Sequence, residues 1–180
     1  MGECHYRDGN YEAINKFHLV RRILDDLKVN PDRLSLEWVS AAEAPRFVKV
    51  ITEFTERVRD LGPLGSSEEL DVDNLKIKLK AAKMALEGKR LRMVFARQAK
   101  YKKHEGTYRE IPPDHKLRVE MDKTLADEMA TKGMLLYLQD KPRPVDELAE
   151  LLNISADDVV GYFKKLEKKG LVESDRLVGH

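Results

Sequence analysis

The chain has 180 residues, 42% of them apolar, 7% aromatic and 36% charged, with a formal net charge of +1. That length suits one ordinary domain or two small ones, and charge above the usual quarter implies much solvated helix surface. The single cysteine, Cys4, excludes an internal disulfide framework, and no apolar run approaches the roughly 20 residues of a membrane span.

The first residues hold no hydrophobic stretch that would act as a secretion signal, so a soluble, cytoplasmic protein is expected. Charge is unevenly spread. Residues 1–75 carry 10 Lys/Arg against 15 Asp/Glu, residues 76–103 carry 11 against 1, and residues 104–180 carry 12 against 16. A cationic block therefore sits between two mildly acidic ends.

In chain order, Ile14, Phe17, Val20, Leu24 and Leu27 recur at three- and four-residue steps and predict a helix from Asn10 to about Lys28, broken at Asn30-Pro31-Asp32. Leu34, Leu36 and Trp38 alternate with Ser35, Glu37 and Val39, the period of a strand. Ser40 and Glu43 fit a capping box ahead of a helix whose stripe is Phe47, Val50, Ile51, Phe54, Val58 and Leu61. Gly62 to Ser67 stops it. Helix–strand–helix is what remains when the first strands of a parallel α/β sheet are removed, so an incomplete sheet is expected, with Trp38 needing neighbours before Met1 or from a partner chain.

A long helix follows from about Asp73 towards Lys103, burying Leu75, Leu79, Ala82 and Leu86, with Gly88 placed to bend or interrupt it. Lys102 to Asp114 reads as a linker or ordered loop. From about Asp122 the pattern is a winged helix-turn-helix. One helix runs to Gln139 with Leu125, Met129 and Leu136 on one side. A second, Val145 to Leu152, follows Pro144 in its first turn and buries Leu148 and Leu151. The turn is Asn153-Ile154, and Ser155 with Asp158 makes another capping box. A third helix, Ala156 to Lys169, buries Val159, Phe163 and Leu166, and Gly170 caps it. Leu171-Val172-Glu173 and Arg176-Leu177-Val178 then form a short hairpin wing. The expected fold is an α/β fragment, then a mainly helical region and a winged helix, helix-dominated overall. The expected domains are 1–65, 66–121 and 122–180.

The stretch Cys4-His5-Tyr6-Arg7-Asp8-Gly9-Asn10 is the one that looks selected for something other than packing. A thiolate at a helix N-terminus is favoured by free amides and the helix dipole. It suits a metal or iron–sulfur ligand or a reactive thiol, and a lone terminal cysteine is also compatible with no role. Gly9 supplies backbone freedom and Asn10 a cap.

Met1 to Tyr11 resembles the Gly-x-Cys-His-Tyr-x-x-Gly-Asn-Tyr block of the hydrogenase iron–sulfur (delta) subunit family, which serves methyl-viologen-reducing hydrogenase and heterodisulfide reductase assemblies. Pro31 to Ala41 is similar to that family's Pro-x-Arg-x-x-x-Glu-Trp-x-Ser-Ala strand, and the likeness continues from Phe47 through Leu64. It implies a non-catalytic subunit with a [2Fe–2S] cluster, passing electrons between a hydrogenase or formate dehydrogenase and a heterodisulfide reductase-like flavin subunit. Cys4 would be a cluster ligand, with His5, Tyr6, Gly9 and Asn10 shaping its loop. The family pattern is Cys-x-x-Gly-x-Cys-His-Tyr, whose first cysteine would fall two positions before Met1. A cluster of this kind takes four protein ligands, and this chain has one cysteine. The expectation is an intact protein starting further upstream, for example through a selenocysteine whose codon reads as a stop, or else a degenerate or shortened copy.

The cationic block suits either phosphate or an acidic partner protein, or is simply a solvated face. A DNA-binding regulator is the alternative function, using Lys164, Lys165, Lys168, Lys169 and Arg176 on nucleic acid. Ala156, Asp157, Asp158 and Gly161 stand where base-reading residues normally do, and the two carboxylates repel phosphate. His18 reads as a packing or surface residue. His104 and His115 in the linker have no ligand partners at metal spacing, and Tyr101 and Tyr108 make a thin stacking platform.

Overall fold

Helices carry almost all of the regular structure in the computed structural model, which describes residues 9–104 and 115–179. The order is α1 (Gly9–Asp26), a 3-10 turn (Pro31–Arg33), α2 (Ala44–Asp60), α3 (Val72–Glu87), α4 (Lys89–His104), α5 (His115–Asp140), β1 (Arg143–Pro144), α6 (Val145–Leu152), α7 (Ala156–Lys168), a 3-10 turn (Ser174–Arg176) and β2 (Leu177–Val178). Two compact units divide within α3, between Leu75 and Lys76.

In the first unit α1 ends where Lys28 adopts φ 59°, so that Val29 N–H donates back to Leu24 O at 2.9 Å. Asn30 then caps the 3-10 turn, its side chain accepting from Asp32 N–H at 2.9 Å. The buried face of α1 is Leu19, Ile23 and Leu27. Ile14, Phe17 and Leu24 are half-buried and Val20 is exposed, so the burial is rotated from the expected stripe.

The expected strand over Leu34–Val39 does not form. The segment leaves the 3-10 turn extended, with Leu34 at φ −126° and ψ 130°, but among the described residues no strand lies beside it. Alternation makes a strand possible, yet a strand exists only when its amides and carbonyls are paired. Among the described residues the α/β reading is thus corrected to a helical unit with one segment that has no strand partner, and Trp38 is 40% exposed. α2 also begins later than a Ser40 cap requires. Glu43 occupies its N-cap, and its carboxylate still accepts from Ser40 N–H at 2.8 Å. The stripe of α2 is present but none of its residues is buried.

In the second unit the long basic helix is interrupted at Gly88 into α3 and α4, and α5 starts earlier than expected, at His115. Lys102 and His104 therefore belong to α4 and His115 to α5, while residues 105–114 lie outside the described residues. α5 buries Met121, Leu125, Met134, Tyr137 and Leu138, whereas Met129 and Leu136 are half-buried.

α6 and α7 follow the expected grammar closely. Pro144 is the N-cap residue of α6 instead of a first-turn residue, and Asn153 ends the helix at φ 56°. Ser155 accepts from Asp158 N–H at 3.1 Å, and its hydroxyl donates to the Asp158 carboxylate at 2.6 Å, which replaces the reciprocal half of a capping box. Leu148, Val159, Phe163 and Leu166 form the core with Met134, Tyr137 and Leu177. Leu151 is half-buried.

The hairpin wing is the other correction. Leu171-Val172-Glu173 forms no strand, and Leu177-Val178 pairs in parallel with Arg143-Pro144 instead. Two three-residue strands in a solvated hairpin would be marginal. Winding Ser174–Arg176 into a 3-10 turn delivers Leu177 into the core at 3% exposure, which stabilises the tail more.

Candidate functional site

Cys4, His5 and Tyr6 lie outside the described residues. Gly9 and Asn10 open α1 and are half-buried, so the block ends at a helix N-terminus whose first amides have no partner within the helix. Among the described residues no group of three His, Cys, Asp or Glu side chains is placed to hold a metal ion. His18 is half-buried on α1.

The loops of the first unit are organised by Arg33, the arginine of the Pro-x-Arg motif. Its guanidinium is 8% exposed and donates to Glu68 Oε1, Gly62 O and Leu61 O, each at 2.8 Å. Weaker donations reach Pro63 O and Ser67 Oγ at 3.1 Å. One side chain thereby ties the 3-10 turn to the C-cap carbonyl of α2, Leu61 O, and to the loop carbonyls that follow it. Glu68 also accepts from Asn30 N–H at 3.0 Å. Sequence spacing gave no sign of Glu68, because 35 residues separate it from its partner.

The Arg33 guanidinium outweighs burial and holds the Glu68 carboxyl down from its ordinary 4.5 to about 2. A depressed folded pKa contributes stability that is complete above pH 4.5 and fades as pH falls towards 2. Urea midpoints followed across that window should drop with acid in the native chain. Glu68→Gln should flatten that part of the profile, and an unchanged slope would count against the assignment.

Beside this tie, Ser35, Leu36, Glu37 and Val39 line a groove of about 480 Å³ with Phe47, Val50, Ile51 and Phe54 of α2. Phe47 is 55% and Ile51 47% exposed. Among the described residues nothing covers this apolar face, and the Ser35–Val39 segment beside it has no strand neighbour.

Of the residues considered for nucleic acid, Lys165 and Arg176 are engaged within the protein. Lys164, Lys165 and Lys168 on α7 and Lys169 at its C-cap are exposed, but Lys165 Nζ lies 4.9 Å over the Tyr162 ring and Arg176 donates to Leu138 O at 3.4 Å. Asp157 and Asp158 occupy the first turn of α7. DNA binding is not supported.

Those same elements carry a polar network that sequence reading missed. Arg90 on α4 pairs with Asp127 and, at 2.8 Å, with Glu128 on α5. Burial works to raise the Asp127 pKa, yet hydrogen bonds from Arg90 and Tyr162 lower it on balance. Tyr162 is pushed up to about 12 by burial and by the Asp127 charge, so its phenol stays a donor. Arg97 extends the α4–α5 contact through Glu120 at 2.8 Å. These groups satisfy one another and hold three helices together; they are structural.

The likeness to known proteins lies in the N-terminal third. Residues 1–62 match the family described as methyl-viologen-reducing hydrogenase, delta subunit, so the likeness read from the Cys-His-Tyr and Glu-Trp blocks is shown for that stretch. The F420-non-reducing hydrogenase iron-sulfur subunit of Archaeoglobus profundus is 44% identical over 63 residues, which is 35% of this chain and 46% of that protein. The vhu iron-sulfur subunit of the corresponding Methanopyrus kandleri hydrogenase is 38% identical over 63 residues, 35% of this chain and 48% of its own. A subunit of the ferredoxin:CoB-CoM heterodisulfide reductase of Methanosarcina mazei is 41% identical over 66 residues, 37% of this chain and only 8% of its own. The matched stretch thus spans about half the length of both hydrogenase proteins and a small part of the reductase protein. No solved structure matches the chain.

Proposed function

We propose that this protein is a non-catalytic, cytoplasmic electron-transfer subunit of a hydrogenase or heterodisulfide reductase type complex. The single observation that carries this reading is the match of residues 1–62 to the delta subunit family, within which Cys4, His5, Tyr6, Gly9 and Asn10 fall. Its relatives are named as iron-sulfur subunits of hydrogenases or as heterodisulfide reductase subunits. The partners expected here are of those kinds, a formate dehydrogenase being an alternative donor. The uncovered groove of Ser35–Val39 and α2 fits a protein whose domain is completed by further structure.

The residues of this chain do not by themselves fit a [2Fe–2S] cluster. Four ligands are required, and the chain has one cysteine. Our reading is that Cys4 supplies one ligand to a cluster whose other ligands lie outside these 180 residues. Two measurements test it. The chain expressed alone and incubated anaerobically with iron and sulfide should take up no cluster. The complex purified anaerobically from its native source should carry iron that Cys4→Ser removes. A native complex without iron, or iron indifferent to Cys4→Ser, would overturn the reading.

A further inference from the structure

The cationic block lies on α3 and α4, beyond the residues 1–62 that the family accounts for. Residues 76–97 carry eight Lys/Arg against one acid. Folding turns this run into a mixed face. α3 buries Ala81, Ala82 and Ala85, small residues that let the helix sit close, and this rotates Leu79 and Leu86 outward to 38% and 40% exposure. Lys80 and Lys83 are exposed on the same side. Leu79 and Leu86 are two turns apart and line up along the helix, with Lys83 between them. Past Gly88, Met93 stands 60% exposed with Lys89 one turn before it, also exposed.

The charge on this face selects its partner. Arg90 and Arg97, whose forked guanidinium groups would suit phosphate best, are turned to Asp127, Glu128 and Glu120 of α5. Arg92, exposed beside Met93, is turned back to donate to Glu87 O at 3.0 Å, so what is left to face outward is mostly lysine, a point charge, interleaved with apolar side chains. A phosphate backbone has no use for Leu79, Leu86 and Met93, whereas an acidic protein helix with an apolar stripe satisfies both components at once. We propose that the α3–α4 face docks an acidic, amphipathic segment of a partner protein, with carboxylates against Lys80, Lys83 and Lys89 and apolar side chains over Leu79, Leu86 and Met93.

The test uses the full chain at about 150 mM salt, where exposed charge alone is largely screened. Fluorescence anisotropy is read for four probes. One is a labelled helical peptide with Glu along one flank and Leu along the next. The second is the same peptide with Leu replaced by Ser, the third a DNA duplex, and the fourth anionic phospholipid vesicles. The Leu-bearing peptide should bind tightest. The triple change Lys80→Gln, Lys83→Gln and Lys89→Gln should weaken it about tenfold or more, and Met93→Ser should weaken it separately, with helicity by circular dichroism unchanged in both. Equal or tighter binding of duplex or vesicles, equal binding of the Leu-free peptide, or indifference to the lysine change would each overturn the proposal. None of these readouts involves iron, so this proposal and the electron-transfer reading stand or fall separately.

Discussion

Arg33→Ala should destabilise the first unit by about 3 kcal/mol or more, because it leaves a buried carboxylate and several loop carbonyls without their donor. Trp38 is the chain's one tryptophan and lies just beyond the tie, so its fluorescence during urea unfolding reports the loss directly. Arg33→Lys should recover only part of the stability, since one ammonium cannot reach Glu68, Leu61, Gly62 and Pro63 together. Removing both charges, Arg33→Met with Glu68→Met, should cost less than Arg33→Ala alone if the penalty is an orphaned charge. A Trp38 transition that Arg33→Ala leaves in place would show that the tie contributes little.

Phe163→Ala should be comparably severe in the second unit, about 3–5 kcal/mol, through lost transfer energy and the cavity left behind. Phe163 is 1% exposed and belongs to the cluster that joins α5, α6, α7 and β2. Phe163→Leu keeps most of the volume and should lose about 1–2 kcal/mol. Thermal unfolding followed by circular dichroism separates the two variants. Equal transitions for both would mean that the core collapses around the vacancy, and that packing at Phe163 is not what holds the helices.

The contrast between the two units shows where local pattern suffices. In α6 and α7 the stripe Leu148, Val159, Phe163 and Leu166, the Ser155 cap and the Asn153 and Gly170 stops are all short-range features, and each is where its residues predict. A helix closes its hydrogen bonds within itself, so spacing and caps nearly settle it. On α1 and α3 the helices also form, but spacing left open which of several apolar residues would turn inward. Leu19 and Ile23 went in where Val20 stayed out, and Ala81 and Ala85 displaced Leu79 and Leu86. That choice depends on how close the neighbouring element comes, which no local window contains.

The candidate site divides in the same way. By itself the sequence determined the family likeness, carried by the contiguous Cys4-His5-Tyr6 and Glu37-Trp38 blocks, together with the helical character and the cationic run. Only the tertiary structure decided that Leu34–Val39 has no strand partner among the described residues, that Leu177 joins Arg143-Pro144 in place of a hairpin, and that Arg33 finds Glu68. Strand pairing, buried ion pairs and the orientation of an exposed face all need a partner distant in sequence, and the free energy of such a contact exists only once the fold has brought the two together.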